Sequence, residues 1–314
     1  MRIQKICRSS YIMLVVIAIF FLFSAQRKIN QTKKNPANAV VFFEEKFEDN
    51  NLTSRGWYDN TAITLSGNEH IQGSTHSAQF QFLQGAQNPI SGGAFRRKFS
   101  DSDSVYLSYW VKYSDNYTGS DKPYHPHEFL IMTNKNNGYD GPAFTYLTAY
   151  VEQNEGIPLL SIQDGQNIDQ KQIKKDIQTT TENRSVAGCN GIWSDGYSAV
   201  DCYVTGSGDY WNGKQWKANN VHFQNGKWYH VEAFFKLNTI EKDRGIASGK
   251  IKYWLDGKVI IESDNVLMRT GKFPDMKFNQ FLIAPHIGPG SPVDQSFWID
   301  DLVIANTRQK LGAP

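Results

Sequence analysis

The chain has 314 residues, of which 40% are hydrophobic and 20% charged, so it is long enough to bury a large core and is neither a disordered chain nor a many-span membrane protein. The formal net charge of +2 is unevenly distributed, because residues 1–39 hold seven Lys and Arg and no acid, while the rest holds 26 basic and 31 acidic residues. The acidic body argues against nucleic acid as the main partner.

The first 26 residues predict an export segment, either a signal peptide or a signal anchor. A basic stretch, 1–10, precedes an uncharged apolar run, 11–23, and the small residues Ser24 and Ala25 follow. This is the layout of a secretory signal, and the run is short for a hydrocarbon core of ~30 Å. We therefore expect an exported protein, periplasmic, secreted or extracellular, with residues 27–39 as a basic linker. Membrane contact is expected only through an uncleaved anchor.

Two cysteines, Cys189 and Cys202, remain after the export segment. An even pair in an exported chain predicts a disulfide that closes a glycine-rich loop, and two free thiols are the alternative. No histidine or third cysteine stands beside them at the spacing of metal ligands.

Alternation of apolar and polar residues with period two recurs throughout residues 40–314 and predicts strands with one buried face. Asp256-Gly257 between two such runs predicts a tight hairpin turn, and one short polar helix is expected near residues 168–178. About a dozen strands with no helices between them predict an all-β fold, a two-sheet antiparallel β-sandwich or jelly roll, in a single domain, 40–314. Two separate sandwiches are the alternative, and in a jelly roll the first and last strands are expected to pair. The alternating runs are 40–47, 77–83, 94–99, 104–113, 127–132, 143–153, 159–163, 228–238, 249–261, 279–285 and 297–305.

Three motifs in the C-terminal third carry a family resemblance: Trp228-x-x-x-Glu232, Trp254-Leu-Asp-Gly257 and the closing Phe297-Trp-Ile-Asp-Asp301. Their succession resembles the concanavalin A-like jelly rolls of polysaccharide lyases, especially the alginate and glucuronan lyase groups, and related laminin-G-like modules. The resemblance implies the fold and a polysaccharide ligand. The Arg-x-Glu-x-Arg and Gln-Ile-His strands of alginate lyases are absent, and so is the paired-carboxylate strand of jelly-roll glucanases.

A uronate lyase needs a base for the C5 proton, an acid for the leaving oxygen and a group that neutralises the carboxylate. Alternation fixes which side chains of a strand oppose its apolar face. On this basis we expect polar and aromatic residues of three strands to share one concave groove, with His127 at its rim. The catalytic candidates are Tyr146, Tyr150, His230, His127, Lys112 and Arg269, and the substrate-binding candidates are Trp110, Glu232, Tyr106 and Lys252.

Two metal hypotheses follow from clusters of ligating residues. His125 and His127 lie two residues apart and share a face in extended chain, which leaves zinc open as an alternative to a hydrogen-bonded rim loop. If the first and last strands pair, Glu48 approaches Asp301, and such carboxylates suit a structural calcium ion. No cofactor is expected to be required for the reaction.

The sequence therefore predicts an exported, monomeric, polysaccharide-acting protein, a polysaccharide lyase or lyase-like relative that cleaves or binds a uronate-containing polymer. A non-catalytic carbohydrate-binding or adhesion module is the alternative, since it needs only rings and hydrogen bonds. A structural envelope protein without a sugar ligand is the third hypothesis.

The disulfide can be tested directly. We expect Cys189 and Cys202 to show no reactive thiol when the mature protein is denatured without reductant, because a bridge consumes both. Thiol titration measures this, with the reduced protein as the control that must yield both thiols. Two reactive thiols before reduction would mean that there is no bridge.

Overall fold

The computed structural model describes residues 39–121, 127–133, 146–163 and 214–309, and within these ranges the regular structure is β-strand apart from one 3-10 turn at Leu52–Arg55. The strands of the first part are β1 (Val41–Glu45), β2 (Tyr58–Asp59), β3 (Thr64–Ser66), β4 (Ser77–Phe82), β5 (Phe95–Ser102), β6 (Ser104–Tyr113), β7 (His127–Met132), β8 (Thr148–Asn154) and β9 (Ile157–Gln163). The strands of the second part are β10 (Gln215–Lys217), β11 (Trp228–Lys236), β12 (Ile240–Glu241), β13 (Arg244–Gly245), β14 (Gly249–Leu255), β15 (Lys258–Val266), β16 (Phe278–His286) and β17 (Gln295–Ala305).

These strands form two large antiparallel sheets that pack as a sandwich. Sheet A has eight strands in the order β15-β14-β11-β6-β17-β4-β3, with β1 also paired to β17. Sheet B has seven strands in the order β10-β9-β8-β7-β16-β5-β2, and β12 pairs with β13 in a separate ribbon. The predicted all-β sandwich is confirmed.

The sheets form because alternate residues of each strand enter one shared core. In β6 the inward residues include Leu107, Tyr109 and Val111, and in β8 they are Ala149 and Val151, all almost fully buried in the same cluster. The intervening residues of each strand therefore lie on the outer face of its sheet. Each outer face is a separate surface on which a site can be built.

The predicted hairpin and the predicted pairing of the chain ends are both confirmed. Asp256 and Gly257 have φ of 48° and 76° and connect β14 to β15, as a tight turn with two positive φ values requires. Strand β1 pairs antiparallel with β17, with Val41 opposite Ala305 and Glu45 opposite Leu302.

Several short strands carry too few residues for period two to reveal them in the sequence, namely β2, β3, β10, β12 and β13. The export segment, the predicted helix at 168–178, His125 and both cysteines of the predicted bridge lie outside the described residues. In the part of the chain that is described, no helix has the length and apolar character needed to cross a membrane.

A buried ion pair holds the end of β1 against the loop that follows it. The carboxylate of Glu45, which is 2% exposed, accepts hydrogen bonds from Arg55 Nε at 2.8 Å and Nη2 at 3.0 Å and from Trp57 Nε1 at 3.0 Å. It also accepts one from the backbone N–H of Phe47 at 3.1 Å. Trp57 is itself buried, with its ring 5.5 Å from that of Phe43. The network therefore joins β1 to the core.

Replacing Glu45 by Ala should lower the free energy of unfolding by about 2–4 kcal/mol, because it leaves the Arg55 guanidinium and the buried Trp57 N–H without their acceptor. Chemical denaturation measures this. Glu44→Ala is the matched control, since Glu44 is an exposed neighbour on the same strand, and it should change stability by less than about 0.5 kcal/mol. Equal effects of the two substitutions would contradict the role of the network.

Candidate active site

The alternation of β7 is reversed at its start, and this reversal sets the geometry of the outer face of sheet B. Phe129 and Ile131 point into the core, so strict alternation would send His127 inward as well. Instead the pairing with β16 shifts register between Ile283 and His286, and Glu128 is the residue that turns inward. His127 consequently lies on the outer face, opposite His286.

Glu128 is buried between the sheets, 1% exposed, and accepts hydrogen bonds from the Tyr113 hydroxyl at 3.0 Å to each oxygen. Tyr109, Tyr117 and Tyr253 lie close enough to interact with it electrostatically. Burial, opposed by the Tyr113 hydrogen bond, raises the pKa of Glu128 to about 8. The group is therefore mostly a neutral acid at pH 7.

On the outer face, His127 Nδ1 lies 2.9 Å from Glu152 Oε1. The Tyr150 ring is tilted against the imidazole with centroids 5.3 Å apart, and the Tyr150 hydroxyl donates to the Gln163 side-chain oxygen. Tyr150 and Glu152 are almost fully buried, whereas the His127 side chain is 16% exposed. His127 is therefore the most accessible member of the group.

A second imidazole completes this cluster, which we call the histidine site and define as His127, Tyr150, Glu152, Gln163 and His286. The His286 ring stacks on the His127 ring, with the two ring centroids 6.2 Å apart. The Nδ1 atom of His286 lies 3.1 Å from Asn88 Oδ1. Burial and the neighbouring His127 lower the pKa of His286 to about 4, so this imidazole is neutral at pH 7.

The register of sheet B places a guanidinium on the same face. One row of paired residues crosses the sheet from β5 to β9 as Arg96, Leu282, Leu130, Tyr150 and Ser161. Arg96 is buried at the far end of this row, paired with Asp59. Three strand spacings separate its Cα from that of Tyr150, about 14 Å. The two leucines between them form an apolar floor with Tyr150.

This arrangement combines three chemical functions on one surface. An imidazole beside a carboxylate is a general base, because the carboxylate orients the ring and stabilises the imidazolium that forms. A phenol in contact with that imidazole can donate a proton. The Gln163 amide and the Arg96 guanidinium carry N–H donors for a carboxylate.

The prediction of one shared groove is wrong, because the predicted residues lie on two sheets. Alternation fixes which side of a strand a residue occupies, but it does not fix which sheet the strand joins. His127 and Tyr150 lie on the outer face of sheet B. The other face, that of sheet A, carries Tyr106, Trp110, Lys112, His230, Glu232 and Lys252.

The residues on sheet A have partners of their own. Glu232 accepts hydrogen bonds from Tyr106 at 2.8 Å and from Arg308 through two N–H groups at 2.7 Å each. Burial favours the neutral acid, but these bonds outweigh it and lower the pKa of Glu232. Burial also lowers the pKa of His230, whose Nε2 lies 2.8 Å from Ser108 Oγ.

Two further catalytic candidates lie away from both surfaces. Arg269 is buried after β15, where it binds Asp103 at 2.8 Å and the backbone oxygen of Asn238 at 2.7 Å, so it fixes a loop. Tyr146 precedes β8 and packs against the core, with its ring 4.5 Å from that of Phe273. Their partners come from distant loops, which no local sequence pattern reveals, and their catalytic roles stay predictions.

The calcium hypothesis remains a prediction that the contacts do not favour. Glu48 accepts hydrogen bonds from Thr75, and Asp301 is paired with the amino group of Lys46. Within the described ranges, no three His, Cys, Asp or Glu residues form a group that could hold a metal ion. The zinc hypothesis rests partly on His125, which is outside those ranges.

Five residues on these two surfaces were not predicted from the sequence, namely Glu152, Gln163, His286, Arg96 and Arg308. Alternation places Glu152 on the same side of its strand as Tyr150, and this was the available indication for it. His286 and Arg96 are brought to the site by the pairing of β16 with β7 and β5, which no local pattern reveals.

Comparison with solved structures shows the fold. Alginate lyase vAL-1 from Chlorella virus superposes with a TM-score of 0.55 at 12% identity, covering 85% of this chain and 100% of that one. An endo-beta-1,4-glucuronan lyase from the fungus Trichoderma reesei gives a TM-score of 0.47 at 14% identity, covering 85% and 96%. The marine PL-14 alginate lyase from Aplysia kurodai gives 0.47 at 13% identity, covering 86% and 100%.

No family model matches the sequence, and no curated protein matches it. At these identities the likeness establishes the fold and leaves the activity to be argued from the site. The resemblance predicted from the sequence is confirmed at the level of the fold.

Replacing Glu128 by Gln tests the buried acid. A raised pKa means that the folded state holds a proton that the unfolded state releases above its ordinary pKa of 4.5. The stability of the native protein should therefore fall, relative to that of the Gln variant, as pH rises from about 5 to about 8, by up to a few kcal/mol.

Urea unfolding of both proteins across this pH range measures the difference. Glu44→Gln is the control for removing a carboxylate, because Glu44 is exposed, and it should change stability by less than about 0.5 kcal/mol. A pH-independent difference for Glu128→Gln would show that the carboxyl is ionised in the folded state.

Proposed function

We propose that the protein is a polysaccharide lyase that cleaves a uronate-containing polymer by β-elimination at the histidine site. The observation that carries the proposal is the His127–Glu152 pair at 2.9 Å with the Tyr150 ring against it. The fold shared with alginate lyase vAL-1 supports it. We also propose that the protein is exported, on the basic and apolar arrangement of its first 26 residues.

In the proposed reaction, His127 Nε2 takes the C5 proton of the uronate residue and Glu152 stabilises the resulting imidazolium. The electron pair of the C5–H bond forms the C4–C5 double bond as the C4–O4 bond breaks. Tyr150 turns its O–H from Gln163 to O4 and protonates the leaving oxygen. Solvent then returns a proton to Tyr150 and removes one from His127, so that no water is consumed and nothing is oxidised.

The uronate carboxylate must be neutralised, because proton loss at C5 sends negative charge onto it. The Gln163 amide lies next to the Tyr150 hydroxyl and offers N–H donors there. Arg96 lies at the other end of the row, where it is paired with Asp59, so it would bind a uronate carboxylate further along the polymer only by exchanging that partner. Because Gln163 and Arg96 lie at different points along the site, a polymer of consecutive uronates fits it better than a polymer with isolated uronates.

Binding without cleavage is the second candidate function. The low exposure of Tyr150, 2%, favours it, because an acid catalyst must reach the leaving oxygen. The two functions differ in one measurable product, the unsaturated uronate.

The protein should release unsaturated oligosaccharides from at least one of polymannuronate, polyguluronate and polyglucuronate. Ultraviolet absorbance of the conjugated product follows the reaction. His127→Ala and Tyr150→Phe should each lower kcat by about 10²-fold or more, because each removes one proton-transfer group.

His76→Ala is the matched control, since His76 is an exposed imidazole beside β4 of sheet A, and its activity should stay within about twofold of the native value. No absorbance increase with any of the three polymers would exclude a lyase of this specificity. Full activity of both His127→Ala and Tyr150→Phe would show that the reaction does not take place at the histidine site.

A further inference from the structure

The outer face of sheet A carries a tryptophan on each of four neighbouring strands. These are Trp298 on β17, Trp110 on β6, Trp228 on β11 and Trp254 on β14, and together with His230 and Phe234 they define what we call the tryptophan face. The strands pair so that Trp110 is opposite His230. The register thus brings these aromatic residues to one face of the sheet, with Lys112 between Trp298 and Trp228.

The buried core does not account for these rings. None of the four tryptophans belongs to the core cluster between the sheets, and Trp110, Trp228 and Trp298 keep part of their surface in solvent. Trp110 lies against the His230 ring with centroids 5.0 Å apart. An outer face is ordinarily polar, and a partly exposed aromatic surface is typical of a binding site.

Polar groups beside the rings are held in fixed positions. Glu232 is clamped by Arg308 and Tyr106, and the Arg308 guanidinium lies 4.5 Å from the Trp254 ring centre. Among the described residues, the buried Trp298 Nε1 has no hydrogen-bond acceptor. Rings beside a few oriented polar groups are the usual composition of a small-molecule site.

A shallow pocket of about 250 Å³ opens at one side of this surface, lined by residues that include Phe234, Lys252, Trp254, Thr307 and Arg308. It is smaller than the ~300–1,000 Å³ of pockets for drug-sized ligands. Its size suits one sugar residue, with the rest of a chain lying across the neighbouring rings.

Four cations on this face are already paired with carboxylates. Lys112 contacts Glu69 at 2.7 Å, Lys252 contacts Glu262 at 2.5 Å, Lys250 contacts Asp264 at 3.5 Å and Arg308 contacts Glu232 at 2.7 Å. An anionic polymer would have to break these pairs to gain any of these four cations, and among the described residues only Lys236, at the end of β11, stands exposed beside them. A ligand without charge matches the face as it stands.

We propose that the tryptophan face is a second carbohydrate site, separate from the histidine site, which binds a neutral polysaccharide without cleaving it. The proposal does not depend on lyase activity, because it uses the opposite sheet. The protein would then hold a neutral matrix polymer on one face while the other face acts on a uronate polymer.

Native affinity electrophoresis tests this with hydroxyethylcellulose, galactomannan or xyloglucan in the gel and with alginate as the anionic comparison. The full chain carrying His127→Ala is used, so that cleavage cannot contribute. We expect retardation in at least one neutral gel, with the apparent Kd raised about tenfold or more by Trp110→Ala and by Trp298→Ala. Trp110→Phe, which keeps a ring, should retain most of the binding.

Trp216→Ala is the matched control, because Trp216 is a partly exposed tryptophan on β10 of sheet B, and its retardation should equal that of the parent. Near-ultraviolet circular dichroism confirms that each variant is folded. No retardation in any neutral gel, or undiminished retardation of both Ala variants, would overturn the proposal. A second outcome would assign the face to another copy of the chain. In it, no neutral gel retards the protein, sedimentation shows a dimer, and Trp110→Ala abolishes that dimer.

Discussion

The geometry of the candidate active site depends on one interruption of strand alternation, at the start of β7. Because Glu128 turns inward to meet the Tyr113 hydroxyl, its neighbour His127 is turned outward to meet Glu152 and Tyr150. An uninterrupted strand would place the imidazole in the core and the carboxyl in solvent. A buried acid therefore accompanies the outward histidine. Keeping that acid protonated avoids the larger free-energy cost of a buried charge.

A two-sheet sandwich offers two outer surfaces that share no side chains, and this protein has chemically distinct groups on each. Sheet B presents imidazoles, a phenol and a guanidinium around an apolar floor. Sheet A presents indole rings among paired charges. The core between them holds both surfaces rigidly, so that changes on one are expected to add independently to changes on the other.

The fold was largely predictable from sequence because its determinants are local. Runs such as 104–113 and 127–132 coincide with β6 and β7, and Asp256-Gly257 turns the chain where two positive φ values are needed. The side of a strand on which a residue lies was also predictable, since alternation places Tyr150 and Glu152 together on the outer side of β8.

The site was predictable only in part, because its remaining determinants are not local. Assigning Tyr150 and His230 to one groove failed because strand pairing across the sandwich decides which sheet a strand joins. The contacts of Arg269 were not predictable because its partners, Asp103 and Asn238, lie 166 and 31 residues away.

The position of β17 has a consequence for the order in which the chain folds. This last strand, 11 residues long, lies inside sheet A between β6 and β4 and also pairs with β1 at the beginning of the domain. Sheet A therefore cannot close before the C-terminal residues are available, and the high contact order predicts slow folding. For a chain that we propose is exported, this delay would keep the chain unfolded, and able to pass through a translocation pore, until β17 has been made. The incomplete sheet would expose unpaired edges of β4 and β6 meanwhile, which makes chaperone protection of the nascent chain advantageous.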